Sequence, residues 1–329
     1  MPALVRGDWV ARLGAARPLR FQRADEAKDL PAHVRAGSGL CRWGERLVVV
    51  QDDVNALALI DDRTGVVTPL LLPADVDGRR QFSERRGNKA SKLDLEACVV
   101  LPDGRLLAIG SGSTAARERL VVVDHEQRVR VVDGEALYEQ LRARADFAGS
   151  ELNLEGAVVV DRRLRLFQRG NGAVLAGRAP ANAVGDLELS VFLSWLDGAG
   201  PPPRLAAVLQ VDLGEVNGVA FGFTDATALP DGSVVFLAGA EDSPDTYRDG
   251  AVLGAKVGLL DAERVVLAEI FDASGQPTPL KLEGLALARQ VDGAGLSAAG
   301  GLELVVVADM DNPDVPAVMA SLAWGPRPA

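Results

Sequence analysis

Apolar residues in this chain gather into short runs bounded by turn signals, with little helical spacing among them. Pro102-Asp103-Gly104 precedes Arg105-Leu106-Leu107-Ala108-Ile109, and Pro230-Asp231-Gly232 precedes Ser233-Val234-Val235-Phe236-Leu237. Asp-Gly between two β-rich runs predicts a hairpin, because glycine supplies the positive φ of the turn. Third runs follow at Leu57-Ala58-Leu59-Ile60, Leu120-Val121-Val122-Val123 and Val257-Gly258-Leu259-Leu260. Fourth runs stand at Val66 to Leu70, Val129 to Val132 and Val265 to Ala268. Each such unit reads as four short antiparallel strands.

A phrase with an acidic residue opens the units. It is spelled Leu95-Glu96-Ala97-Cys98-Val99, Leu154-Glu155-Gly156-Ala157-Val158 and Leu282-Glu283-Gly284-Leu285-Ala286. Thr224-Asp225-Ala226-Thr227-Ala228 is a weaker copy, and Ser38-Gly39-Leu40-Cys41-Arg42 a degenerate one. The key positions are then 39, 96, 155, 225 and 283, at intervals of 57, 59, 70 and 58 residues. A near-constant period marks repeated supersecondary units, and four antiparallel strands per repeat make a propeller blade.

The expectation is therefore an all-β chain, residues 1–329 forming a single β-propeller of five blades with four antiparallel strands each. Its blades span residues 33–73, 93–134, 152–214, 219–273 and 280–325. A sixth blade stays open as an alternative within the irregular residues 172–222. The last unit is one strand short: it offers Leu282 to Leu287, Leu302 to Ala308 and Val318 to Trp324. The N-terminal segment 8–20, with Trp9 to Leu13, supplies the missing strand and closes the ring, which hides sheet edges that template aggregation. Gly134 to Phe147 has Leu137, Tyr138 and Leu141 at helical spacing, which predicts a helical insertion over 134–148.

Composition narrows the partners. The 329 residues are 48% hydrophobic and carry a net charge of −11. Nucleic-acid binding is excluded as an expectation, since phosphate neutralisation needs a basic surface. No apolar stretch reaches membrane-spanning length, and the N-terminus has no apolar run of signal-peptide length, so no membrane association and a cytoplasmic location are expected. The two cysteines, Cys41 and Cys98, read as buried small residues on inner strands, and nothing in the spacing requires a disulfide or a zinc site.

Chemistry concentrates on the propeller axis. The first strand of each blade lines the channel, so Glu96, Glu155, Asp225 and Glu283 form a partial ring of carboxylates. Like charges this close require protons, a basic partner or a cation. A hard divalent ion with oxygen ligands is the natural partner, and Ca²⁺ tolerates irregular geometry better than Mg²⁺. The alternative is structural: each acid ties backbone N–H groups of the next blade. Polar residues also follow the second strands: Asp52 and Asp53, Ser111 and Ser113, Arg169 and Asn171, Glu241 and Asp242, Asp309 and Asp311. Asp309 and Asp311, alternate on an extended run, point to one side and join Glu96, Glu155 and Glu283 as candidate metal ligands. Arg86, Lys89 and Lys92 lie in a basic loop before Glu96; with Ser111, Ser113 and Arg169 they are the candidate anion-binding residues. The chain has two histidines, His33 and His125, and no serine elbow or zinc-protease motif, which leaves a metal-activated water as the hydrolytic option.

The Leu-Glu-Gly/Ala phrases, the Pro-Asp-Gly hairpins and the segment Lys89 to Arg119 resemble the bacterial phytase-like or esterase-like β-propeller group, from about Gly37 to Leu322. The resemblance implies a propeller and calcium-assisted phosphoester cleavage, and by matching phrase it carries over Glu96, Glu155 and Glu283, with Asp225 a looser match. The dense calcium-ligand pattern of true β-propeller phytases is not in this chain. Two readings follow: a metal-dependent hydrolase acting on a small anionic substrate, and a noncatalytic ligand-binding or scaffold propeller with structural channel carboxylates. A glycoside hydrolase ranks third, because aromatics are only 5% and offer few platforms for sugar stacking.

Overall fold

The computed structural model describes residues 1, 3–5, 9–242, 250–261, 264–288 and 301–326. Three separate antiparallel sheets each contain four sequential strands. The first has Gly37–Trp43, Arg46–Gln51, Ala56–Asp61 and Val67–Leu71. The second has Leu95–Val100, Leu106–Gly110, Arg119–Val123 and Val129–Asp133. The third has Leu154–Val160, Arg163–Gln168, Ala183–Glu188 and Leu205–Gln210. Gly104 and Gly232 turn the two Asp-Gly hairpins at φ +82° and +86°, where a side chain is disfavoured.

Two further meanders share one larger sheet. Gly222–Ala228, Val234–Asp242, Ala251–Leu260 and Val265–Phe271 form one of them. Lys281–Leu287, Leu302–Asp309 and Val318–Pro326 form the other. Trp9–Leu13 lies between the two, antiparallel to Val318–Pro326 with Ala11 opposite Trp324, and parallel to Val265–Phe271 with Ala11 opposite Ile270.

The first strands of the five meanders pack against one another in sequence order, and the last, Lys281–Leu287, packs against the first, Gly37–Trp43. Buried side chains fill the wedges between successive sheets. Val48 and Val50 pack toward the second sheet with Leu106 and Val121, while Leu47 and Val49, on the opposite face, pack toward the fifth with Val307 and Met319. Both faces of each sheet are thus apolar, which is why the strands read as continuous runs rather than as alternation.

Helices at Glu135–Ala143 and Ala145–Ala148 fall where the Leu137 spacing predicts, and bury Leu137, Tyr138, Leu141 and Phe147. Residues 172–222 hold the outer two strands of the third sheet, a helix at Leu189–Leu196 and the small hairpin of Glu215–Val216 with Val219–Ala220, but no further four-stranded sheet. The Leu189–Leu196 helix escapes pattern reading because it is short and almost wholly apolar, so no polar stripe reports its period.

Each first strand carries a register irregularity at the same place: between Gly37 and Leu40, Leu95 and Ala97, Leu154 and Gly156, Phe223 and Asp225, and Leu282 and Gly284. The extra residue in the last four is Glu96, Glu155, Thr224 and Glu283, and the same register puts Ser38 in that place in the first. A bulge re-aims its side chain, and here it turns a row of polar side chains out of the ladder. The next residue is small in four of the five, Gly39, Ala97, Gly156 and Gly284, where backbones converge. A Cβ on Gly39 would lie 2.6 Å from the Glu96 carbonyl oxygen, and one on Gly284 would lie 2.5 Å from the Ser38 carbonyl oxygen. Gly39→Ala is expected to cost about 1–3 kcal/mol, because backbone rather than a flexible side chain must yield. Urea unfolding checks this, and an unchanged midpoint would contradict the close approach.

Candidate cation and anion site

Three of the bulge carboxylates converge. One oxygen each from Glu96, Glu155 and Glu283 lies within 4.8 Å of the other two. Glu155 and Glu283 are buried, and Glu283 Oε1 has no hydrogen-bond partner. Asn153 Nδ2 donates to Glu155 Oε1 at 2.7 Å.

The expected fourth member stands elsewhere. Asp225 is one residue past the bulge, and Thr224 occupies the place equivalent to Glu283. Thr224 donates its hydroxyl to the Leu282 carbonyl at 2.7 Å. Asp225 is fully buried and accepts N–H bonds from Leu40 at 3.0 Å, Leu285 at 2.7 Å and Ala226 at 2.8 Å. These three N–H groups belong to equivalent positions, two residues past the bulge, in three different meanders. Burial pushes the Asp225 carboxyl up, and the three N–H donors oppose that shift. The structural role first weighed for all four acids thus describes Asp225. Gly39 is shifted by one in the same way, with Ser38 at the bulge.

Cations surround the trio. Arg169 is buried beside Glu155 at 3.4 Å, Glu241 at 3.3 Å and Glu283 at 3.8 Å. Lys281 reaches Asp311 at 3.0 Å, Glu241 at 3.5 Å and Glu283 at 3.9 Å. Lys92 pairs with Asp52 and with Asp94. Arg117 pairs with Asp94 at 3.0 Å and donates to Ser113 at 2.8 Å, while Ser111 donates its hydroxyl to Asp94. Arg35 pairs with Asp53.

Carboxylates remain in excess, nine against five cations among the groups just named together with Glu96 and Asp309. Burial pushes Glu155 up to about 8 despite Arg169, and Glu283 up to about 8 despite Lys281. Burial, with Asp52 and Glu155 nearby, raises Glu96 well above the ordinary range. Asp309 rises to about 7 and Asp53 to about 6, again chiefly by burial. Asp94 moves the other way: burial opposes its charge, but Lys92 and Arg117 prevail.

A cleft of about 340 Å³ opens beside this group. Arg35, Arg85, Lys89 and Lys92 line it together with Asp52, Asp53, Glu84, Asp309 and Asp311. Asp309 and Asp311 thus share one wall, as their alternation predicts, but the cation given to Asp311 is the Lys281 ammonium. Of the candidate anion ligands, Lys89 and Lys92 reach the cleft. The Lys92 ammonium, however, is held by carboxylates. Arg86 pairs with Asp29 at 2.9 Å, outside the cleft lining. Ser111 and Ser113 position Asp94 and Arg117, and Arg169 balances carboxylates. His33 Nε2 meets the Pro313 carbonyl at 3.2 Å and His125 Nε2 the Asp103 carbonyl at 3.0 Å; neither joins the trio. Both cysteines are free thiols, Cys98 buried.

Asp94, Asn153 and Lys281 were missed by sequence reasoning, although a signal existed. Each stands two residues before its glutamate, in Asp94-Leu95-Glu96, Asn153-Leu154-Glu155 and Lys281-Leu282-Glu283. Residues at i and i+2 share a strand face, so the phrase extended backwards marks them.

Residues 33–323 match the profile of a family described as "Family of unknown function (DUF6929)". No curated protein matches. Among solved structures, an α-L-arabinanase of Penicillium chrysogenum complexed with arabinobiose is 10% identical at a TM-score of 0.46, over 94% of this chain and 98% of that one. A structure titled a putative gluconolactonase is 11% identical at 0.44, over 98% and 95%. The PQQ-bound aldose sugar dehydrogenase of Streptomyces coelicolor is 13% identical at 0.40, over 94% and 98%. The family description names no activity, and the phytase-like and esterase-like likeness rests on the sequence phrases alone. Among the described residues, no helix is long and apolar enough to cross a membrane.

Proposed function

We propose, for a chain that belongs to this DUF6929 family of unknown function, a five-bladed propeller closed by Trp9–Leu13 that binds one divalent cation and a small anionic ligand. Each four-strand meander is one blade, and residues 1–329 act as one domain. Glu96, Glu155 and Glu283 hold the cation. All three donors are hard oxygens, which favours Ca²⁺. The observation that carries this reading is Oε1 of buried Glu283, which accepts no hydrogen bond, has Arg169 and Lys281 only at 3.8 and 3.9 Å, and lies within 4.8 Å of oxygens from two other acids. A buried acceptor without a hydrogen bond is costly, and a cation shared with Glu96 and Glu155 satisfies it.

The ligand sits in the 340 Å³ cleft, where Lys89 and Arg85 meet its negative charge and the acidic wall orients it. Calcium held by Glu96, Glu155 and Glu283 would supply a Lewis acid, with Glu96 next to the cleft-lining Asp52. Asn153 orients Glu155, Arg169 holds Glu241, and Lys281 holds Asp311. Asp309 and Asp311 border the ligand rather than the ion. The phytase-like likeness makes phosphomonoesters the first substrates to screen.

Purified protein is expected to retain about one calcium per chain, and Glu155→Gln to weaken that binding by roughly 10-fold or more, since ligand charge sets affinity at such sites. Calcium titration with a phosphomonoester panel tests both parts. Turnover that requires calcium and Glu155 identifies a hydrolase; calcium binding without turnover identifies a noncatalytic propeller. If neither bound nor titratable calcium is found, the cation reading fails.

A further inference from the structure

Glu96 belongs to two groups of acids. Beside the Glu96–Glu155–Glu283 trio, single oxygens of Asp52, Asp94 and Glu96 also lie within 4.8 Å of one another. Two oxygen-rich positions that share one bridging carboxylate are the usual layout of a paired-cation site. The two positions differ in what fills them. Glu283 Oε1 in the first has no hydrogen-bond partner. In the second, the Lys92 ammonium pairs with both Asp52 and Asp94, the latter at 2.5 Å. Lys92 is only 5% exposed, so its charge is committed to these carboxylates. The second position is further fixed from behind: Asp94 is gripped by Arg117 at 3.0 Å and by the Ser111 hydroxyl.

We propose that Lys92 is a built-in cation occupying the second position of a two-cation site, so the natural protein binds a single divalent ion beside a permanent ammonium. This rests on the cation reading above and adds the stoichiometry and the role of Lys92. It also separates Lys92 from Lys89. Lys92 balances the centre, and Lys89 remains the lysine that meets a ligand in the cleft.

Calcium counting by native mass spectrometry and equilibrium dialysis tests this. Wild type is expected to bind one ion, and Lys92→Met two, because removing the ammonium leaves Asp52, Asp94 and Glu96 to be neutralised by a second ion. Wild-type binding of one ion with Lys92→Met also at one, or wild type at two, overturns the assignment and leaves the cation reading intact. Wild type at zero overturns both. Lys92→Met leaves buried acids unbalanced and is recovered in calcium buffer. Asp52→Asn supplies an independent check, since it removes a charge from an acidic cluster. It is expected to keep the count at one with affinity within about 3-fold of wild type, because Asp52 holds Lys92 and not the ion. A loss of calcium binding in Asp52→Asn, beyond about 10-fold, contradicts the assignment.

Discussion

Asp225→Ala is expected to lower stability by about 3 kcal/mol or more, the largest single-residue effect in this fold outside its apolar wedges. The side chain accepts three N–H bonds, from Leu40, Ala226 and Leu285. Removing it leaves three buried donors without partners, each costing roughly 1–3 kcal/mol, and only part of that is offset by no longer burying a carboxylate. The three donors lie in three different meanders, so the loss falls on the contacts between meanders rather than on one hairpin. Asp225→Asn keeps one acceptor but turns an NH₂ group toward N–H donors, and should fall between alanine and wild type. Both variants should bind calcium within about 3-fold of wild type when folded, because Asp225 lies outside the trio. Urea unfolding with a calcium titration checks both halves. A variant of normal stability with lost calcium would mean that Asp225 is a ligand after all.

In chelator, thermal stability should fall as pH rises from about 5 toward 8. Glu155 and Glu283 are pushed up to about 8 from an ordinary value of 4.5. Between those values the folded chain holds protons that the unfolded chain has released. Stability that depends on the raised pKa is therefore complete below about 4.5 and is lost as pH passes through about 8. The slope approaches about 1.4 kcal/mol per pH unit for each such carboxyl. Asp309, at about 7, adds to the same window. Groups held below their usual range, such as Asp94 and Asp186, act only in stronger acid and do not oppose the trend. Saturating calcium should remove most of this fall, because a bound ion takes the place of the protons and its affinity increases as they leave. Melting temperatures at pH 5, 6, 7 and 8, with chelator and with calcium, give the answer. A pH-independent or rising melting temperature in chelator would show that the trio is already neutralised by its basic neighbours.

The strand pattern and the convergence of Glu96, Glu155 and Glu283 were legible because both follow from backbone periodicity. Apolar runs buried on two faces announce themselves, and a repeated Leu-Glu phrase carries its bulge with it. Asp225 was misplaced by one residue for a chemical reason. Aspartate looks like the counterpart of glutamate, whereas the register makes Thr224 the counterpart and gives Asp225 the next position. Spelling records side-chain type, but a bulge is a property of two paired strands and appears only with the partner in place. The basic partners were hidden similarly. Lys92 reads as part of an exposed basic loop until Asp52 arrives from another sheet, and Arg169 reads as an anion ligand until three acids from three meanders close around it. Arg86 shows the reverse error: its neighbours in sequence point to the mouth, but Asp29 claims it.

The placement of Trp9–Leu13 has a consequence for biosynthesis. Its two neighbours in the sheet, Val265–Phe271 and Val318–Pro326, are made long after it leaves the ribosome. Trp9–Leu13 must therefore wait for strands made far downstream of it. The other meanders can assemble locally and in sequence, but this pairing joins positions about three hundred residues apart, so it forms late.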